Sequence, residues 1–179
     1  VFYTTNTPLS MKYHGLGDLA VFLNFGMLGS LGAYYVQSSE LSWIPVIWSV
    51  PMSTLVIAIL HANNWRDIES DKSAHIFTVA SLLGDKSSLR YYGFLIYGPF
   101  IMVLGLILIP YLLIPDLAAM PLTFLITMLA LPLAFKLWRK ALNREKPDNP
   151  LDFIALDGAT AKLNLAFGGL CTVALILHA

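Results

Sequence analysis

The feature that most limits what this chain can fold into is the placement of its charge. Five runs are almost free of it: Leu19 to Val36, Trp43 to Ala62, Tyr91 to Leu112, Leu117 to Trp138, and Leu163 to Leu177. A helix crossing a bilayer needs about 20 mostly apolar residues. Lipid offers no partner for a bare backbone N–H or C=O, so such runs must be helical or close into a barrel. The whole chain is 57% hydrophobic and 12% charged, against about 25% charge in a soluble domain. The expectation is an all-α membrane protein, a multi-helix transmembrane bundle. Pro45, Pro110, Pro115 and Pro150 lie near run ends, whereas Pro51, Pro99 and Pro132 lie inside runs and predict kinks. We find no soluble domain, internal repeat or low-complexity tract.

Five spans sort the charges. Ten of the 11 basic residues fall before the first run, between the second and third, or between the fourth and fifth, and the other, Lys136, lies in the last turn of the fourth run. The loops on the other side carry only Glu40 and Asp116. This asymmetry predicts that the basic side is cytoplasmic. Net charge is zero, which gives no basis for nucleic-acid binding. The single Cys171 lies in an apolar run and reads as packing. The chain opens on Val1-Phe2-Tyr3 with no signal-peptide pattern, and the expectation is a fragment of a longer protein.

The stretch following the second run, Asn63-Asn64-Trp65-Arg66-Asp67-Ile68-Glu69-Ser70-Asp71-Lys72, carries the chemistry. Asp67 and Asp71 are four apart, so on one helix they share a face and repel by roughly 0.2–0.5 kcal/mol. A cation between them removes that cost. Mg²⁺ suits the pair, because it takes one or two carboxylates together with substrate phosphates. Asn63 and Asn64 add amide groups where polar side chains are expensive to hold, and Arg66 offers a planar fork to a phosphate. The bland alternative is a solvated charged turn. Lys12-Tyr13-His14-Gly15-Leu16-Gly17-Asp18 is a second candidate, with Lys12 as a point charge for phosphate; a plain interfacial turn is favoured on the residues alone. The basic run Lys136 to Lys146 reads as a lipid-facing anchor. His61 reads as helix packing at least as readily as a polar contact in the site.

The stretch Ile59-Leu60-His61-Ala62-Asn63-Asn64-Trp65-Arg66-Asp67-Ile68-Glu69-Ser70-Asp71 resembles the second aspartate-rich motif of the UbiA superfamily of intramembrane aromatic prenyltransferases. Its Asn-Asn-x-Arg-Asp-x-x-x-Asp form is most similar to the MenA branch, which makes menaquinone precursors. Phe2-Tyr3-Thr4, Leu9 to Tyr13 and Gly15 to Asp18 resemble the family's loop between helices four and five. Phe25-Gly26 through Gln37 resembles the fifth helix, Thr78-Val79-Ala80 with Leu83-Gly84 the segment after the second motif, and Ala161 to Asn164 the start of the last. Helices seven and eight match in character only, and His75 stands where the family often has glycine.

The resemblance implies residues 1–179 as the C-terminal part of one UbiA-type domain, helices five to nine of nine. It implies transfer of a polyprenyl group from a polyprenyl diphosphate to an aromatic acceptor, 1,4-dihydroxy-2-naphthoate in menaquinone synthesis, with Mg²⁺ as cofactor. Asp67 and Asp71 would hold Mg²⁺-diphosphate. Arg66 would support them in catalysis, Lys12 would touch the diphosphate or the acceptor, and Asn63, Asn64, Lys12, Tyr13 and Lys72 would line the substrate site. The first aspartate-rich motif is expected on helices outside this chain, so the isolated fragment is expected to be inactive. The expected location is a bacterial inner membrane, with membrane lipid around the bundle and the Asp67–Asp71 loop in the cytoplasm. Two alternatives stand beside this: a UbiA-type enzyme acting on 4-hydroxybenzoate, homogentisate, a chlorophyllide or haem, and a non-catalytic divalent-cation-binding membrane protein.

Overall fold

The computed structural model describes residues 15–113, 118–144 and 156–178. The described residues form α1 (Gly17–Ser38), α2 (Ile44–Arg66), the short α3 (Ile68–Ser73), α4 (Val79–Leu112), α5 (Leu122–Leu142) and α6 (Leu156–His178), with no strand among them. All but α3 are long and apolar enough to cross a membrane. The protein is an all-α membrane bundle, as its apolar runs require.

Local chemistry sets the helix starts. Pro45 lies in the first turn of α2, where its missing N–H costs nothing. A reciprocal capping box opens α4: Ser81 N–H donates to Thr78 Oγ1 at 3.1 Å and Thr78 N–H to Ser81 Oγ at 2.8 Å. That cap places the start of α4 twelve residues before Tyr91, where the apolar run began. The polar stretch Asp85 to Arg90 lies inside the helix, with Ser88 fully buried and Asp85, Lys86, Ser87 and Arg90 exposed.

The three prolines expected to kink the runs, Pro51, Pro99 and Pro132, all lie within helical segments. In α4 the backbone leaves helical torsions at Gly84 (φ 70, ψ 174), not at Pro99. No such break marks Pro51. A left-handed φ with an extended ψ is open to glycine and strained for other residues. Pro132 sits in the first turn after Leu122–Ala130, which is wound as a 3₁₀ helix, so it marks a change of winding. Pro110 cannot donate to the Leu106 carbonyl, and Met120 N–H takes its place at 3.0 Å, tying the start of α5 to the end of α4.

Helix α2 is the central element and packs against α1, α4 and α6. Leu55, Ala58, Ala62 and Trp65 on α2 meet Tyr92, Ile96 and Val103 on α4 and Leu163 and Phe167 on α6. Apolar burial does little to hold helices together in lipid, so close packing and interhelical hydrogen bonds carry the association. Tyr92 and Thr160 make such a bond at 2.7 Å, fully buried. The Thr160 hydroxyl already donates to Leu156 O at 2.7 Å, so Tyr92 is the donor.

The alternating directions of the five long helices bring the start of α1, the end of α2, α3, the start of α4, the end of α5 and the start of α6 to one end. Two ion pairs confirm it, Arg66 with Asp157 and Arg144 with Asp85. Every described basic residue lies in that half of the bundle.

Candidate functional site

The helical torsions of α2 stop at Asp67 (φ −97, ψ 14), which serves as the C-cap of α2 and the N-cap of α3. The single continuous helix through Asp67 and Asp71 is therefore replaced by two. The one-turn relation survives: Asp71 N–H donates to Asp67 O at 2.8 Å. Ser70 Oγ donates to the same carbonyl at 2.9 Å.

Arg66 organises the site. Its Nε and Nη2 donate to Asp67 Oδ1 and Oδ2 at 2.9 and 3.1 Å, a two-pronged pairing. Its Nη1 donates to Asp157 Oδ2 at 2.8 Å. Asp157 stands in the first turn of α6, and its Oδ1 accepts the Gly158 N–H at 2.7 Å. A helix N-terminus favours a carboxylate there. Asn63 stands close enough for its amide to favour the charged form of Asp157. Three carboxylates thus share this end of α2 with one guanidinium.

Among the expected site residues, the structure gathers Asn63, Arg66 and Asp67, with Asp71 one turn on. Asn64 is half-buried beside them. Lys72 is not drawn in: it is exposed and lies 3.7 Å from Glu69. Lys12 and Tyr13 lie outside the described residues. Arg66, expected to face a phosphate, instead engages two carboxylates. Asp157 is the member that sequence reading did not find. It is 91 positions from Arg66, and the one available signal was an acidic residue just before the last apolar run.

Below the polar groups a cavity of about 370 Å³ opens between α1, α2 and α6. Val21, Phe25, Val56, Ile59 and Leu60 form its walls, and Asn63 and Asp157 stand at its mouth. Among the described residues no group of three or more His, Cys, Asp or Glu side chains has the geometry to enclose a metal ion. The donor set instead fits a hard cation that brings ligands of its own. Magnesium binds through one or two carboxylates together with substrate phosphates, and Asp67 and Asp71 are hard oxygen donors one turn apart.

On the other face of the same helix end Trp65 and Arg144 are buried. Trp65 Nε1 donates to Asp85 Oδ1 at 3.0 Å, and Asp85 directly follows the Gly84 break. Arg144 pairs with Asp85 through Nε at 2.9 Å and through Nη2, and donates to Ala141 O at 3.0 Å. Its guanidinium lies 4.6 Å from the Trp65 ring centroid. Arg144, expected in a lipid-facing anchor, is buried packing. His61 is a packing residue, fully buried, with Nε2 at 3.3 Å from Ser88 O and the Tyr91 ring edge-on at 4.8 Å.

Comparison with known proteins gives the family. The chain is 40% identical over 94 residues to UbiA prenyltransferase domain-containing protein 1 of Mus musculus, a match covering 52% of this chain and 28% of that protein. The Homo sapiens protein of the same name is 38% identical over the same coverage. The Dictyostelium discoideum one is 39% identical over 88 residues, 49% of this chain and 27% of the relative. The matches thus take in little more than a quarter of each relative's length. The profile of the UbiA prenyltransferase family matches residues 1–156, most of the chain. The chain belongs to the UbiA prenyltransferase family.

Proposed function

We propose that this chain supplies the second aspartate-rich half of an intramembrane prenyltransferase that uses a polyprenyl diphosphate. The observation that carries this reading is the cavity whose apolar walls end in a polar mouth at Asn63 and Asp157. A polyprenyl diphosphate has the same polarity, a long hydrocarbon with an anionic head.

Asp67 and Asp71 would hold Mg²⁺ against the diphosphate. The ion, when bound, neutralises charge that develops on the leaving diphosphate. Arg66 anchors Asp67 and Asp157 in place through its fork, and Asn63 stands close to Asp157 on the α2 side. Once the head group is seated, the first isoprene unit lies at the mouth of the cavity. Once covered by the helices proposed outside the chain, the apolar walls there would keep water from an allylic cation, leaving an electron-rich ring as the available nucleophile. Lys12 and Tyr13 are proposed to complete the head-group site, with Asn64 and Lys72 lining its approach.

For the acceptor we propose 1,4-dihydroxy-2-naphthoate, on the Asn63-Asn64-x-Arg66-Asp67 form of the motif. Residues 1–179 are proposed as the C-terminal part of one UbiA-type domain, with a first aspartate-rich motif on helices outside the chain. The relatives named above are eukaryotic and lend no support to a bacterial inner membrane. The location we propose is multi-pass, with the Asp67–Asp71 turn cytoplasmic. The test is transfer by the full-length protein from radiolabelled geranylgeranyl diphosphate to dihydroxynaphthoate with Mg²⁺. Product with 4-hydroxybenzoate or homogentisate instead would overturn the acceptor and keep the class. No product with any acceptor would overturn the class.

A further inference from the structure

A second cavity, of about 490 Å³, lies at the far end of the same helices. Ser30 and Tyr34 of α1, Trp48 and Met52 of α2, and Cys171 and Leu175 of α6 line it. On α2 the lining of the two cavities forms one stripe. Pro45, Trp48, Ser49 and Met52 lead on to Val56, Ile59, Leu60 and Asn63 at intervals that keep one helical face. Helices α1, α2 and α6 line both cavities, and Phe124 of α5 joins them at the far one.

Between them the bundle is pinched. At Gly168 of α6 an added Cβ would lie 2.7 Å from Met52 Cε. At Gly26 of α1 it would collide with Ser53 Oγ. Two glycines on opposite sides thus let α1 and α6 close on α2 at residues 52 and 53. The Met52 side chain fills the waist, and it is unbranched and readily re-aimed.

We infer that the two cavities are successive sections of one groove for the donor's hydrocarbon tail, with the Met52–Gly168 waist setting which tail lengths are used. This rests on the prenyl-transfer reading above. Met52 is eleven residues from Asn63, roughly 16 Å along the helix at 1.5 Å per residue. An isoprene unit adds four backbone carbon–carbon bonds of about 1.5 Å, so roughly 5 Å when extended. The near cavity therefore accommodates about three units, and longer tails must displace the Met52 side chain. The substrate class is then a diphosphate with four or more isoprene units, whose distal part occupies the far cavity.

The experiment measures kcat/KM of the full-length protein with geranyl diphosphate and with a donor of eight isoprene units, for wild type, Met52→Trp and Met52→Ala. Met52→Trp lowers the long-to-short ratio tenfold or more, the scale on which apolar pockets discriminate. Met52→Ala raises it. Unchanged ratios in active variants overturn the waist and leave the prenyltransferase reading intact. Equal loss with both donors in both variants overturns it too, as a purely structural role. A wild type inactive with every donor removes the reading beneath it.

Discussion

Two arginine–carboxylate clusters stand at one end of the bundle, on opposite faces of the same helix terminus. Arg66 holds Asp67 and Asp157 beside a cavity, with its side chain 23% exposed. Arg144 holds Asp85 under the Trp65 ring, with its side chain 4% exposed. Their geometry is alike, two-pronged in each case, and their surroundings are not. The Arg144 guanidinium, buried under Trp65, joins α2, α4 and α5, while Asp85 keeps about half its side chain exposed. An open pair beside an apolar cavity can exchange partners with a charged substrate. Position relative to the cavity, more than the ion pair itself, separates the site from the scaffold.

The widest separation should come from Asp67→Asn and Asp71→Asn. Each should lower kcat about 10²–10³-fold, the scale of losing one preorganised charge-stabilising group, with melting temperature in detergent little changed. If either variant unfolds while transfer per folded molecule persists, that carboxylate belongs with the Arg144 cluster. Next is Arg144→Ala. Losing a buried pair costs about 3–5 kcal/mol when the remaining charge is sealed in. Asp85 is 47% exposed, so we expect about 2 kcal/mol after solvent screening, read as a lower thermal midpoint. Activity per folded molecule should hold.

Much of this contrast was not legible in the sequence. Hydropathy alone located the five spans, because lipid demands long uncharged helices. It misplaced the start of α4, because Asp85 to Arg90 are polar in sequence and the Thr78–Ser81 cap that opens the helix leaves no mark in hydropathy. It placed Arg144 in an anchor because its partners, Asp85 and Trp65, are distant in the chain. Asp67 and Asp71 were legible as a pair one turn apart. The break between α2 and α3 at Asp67 was not, since nothing in Arg66-Asp67-Ile68 marks a helix end. Asp157 enters the site only through the packing of α6 on α2.

Arg66→Lys sharpens the comparison from the other side. Lysine keeps the charge and loses the fork that spans two carboxylates. About a tenfold loss of kcat/KM is expected, roughly 1.4 kcal/mol, with stability nearly intact; a full-strength variant would show that the fork is not needed. The smallest effect is expected at Tyr92→Phe, which removes the buried bond to Thr160. Interhelical bonds of this kind average about 0.6 kcal/mol, visible as a small shift of the unfolding midpoint with unchanged transfer.

The central claim is that the Arg66 cluster is where a metal and an anionic donor meet. The direct measurement is binding of geranylgeranyl diphosphate to the full-length protein by isothermal titration, with Mg²⁺ and after chelation. It is repeated in Asp67→Asn and in Arg144→Lys. The account predicts Mg²⁺-dependent binding in the wild type and Arg144→Lys, and its loss on chelation or in Asp67→Asn. Binding that survives both chelation and Asp67→Asn would contradict it.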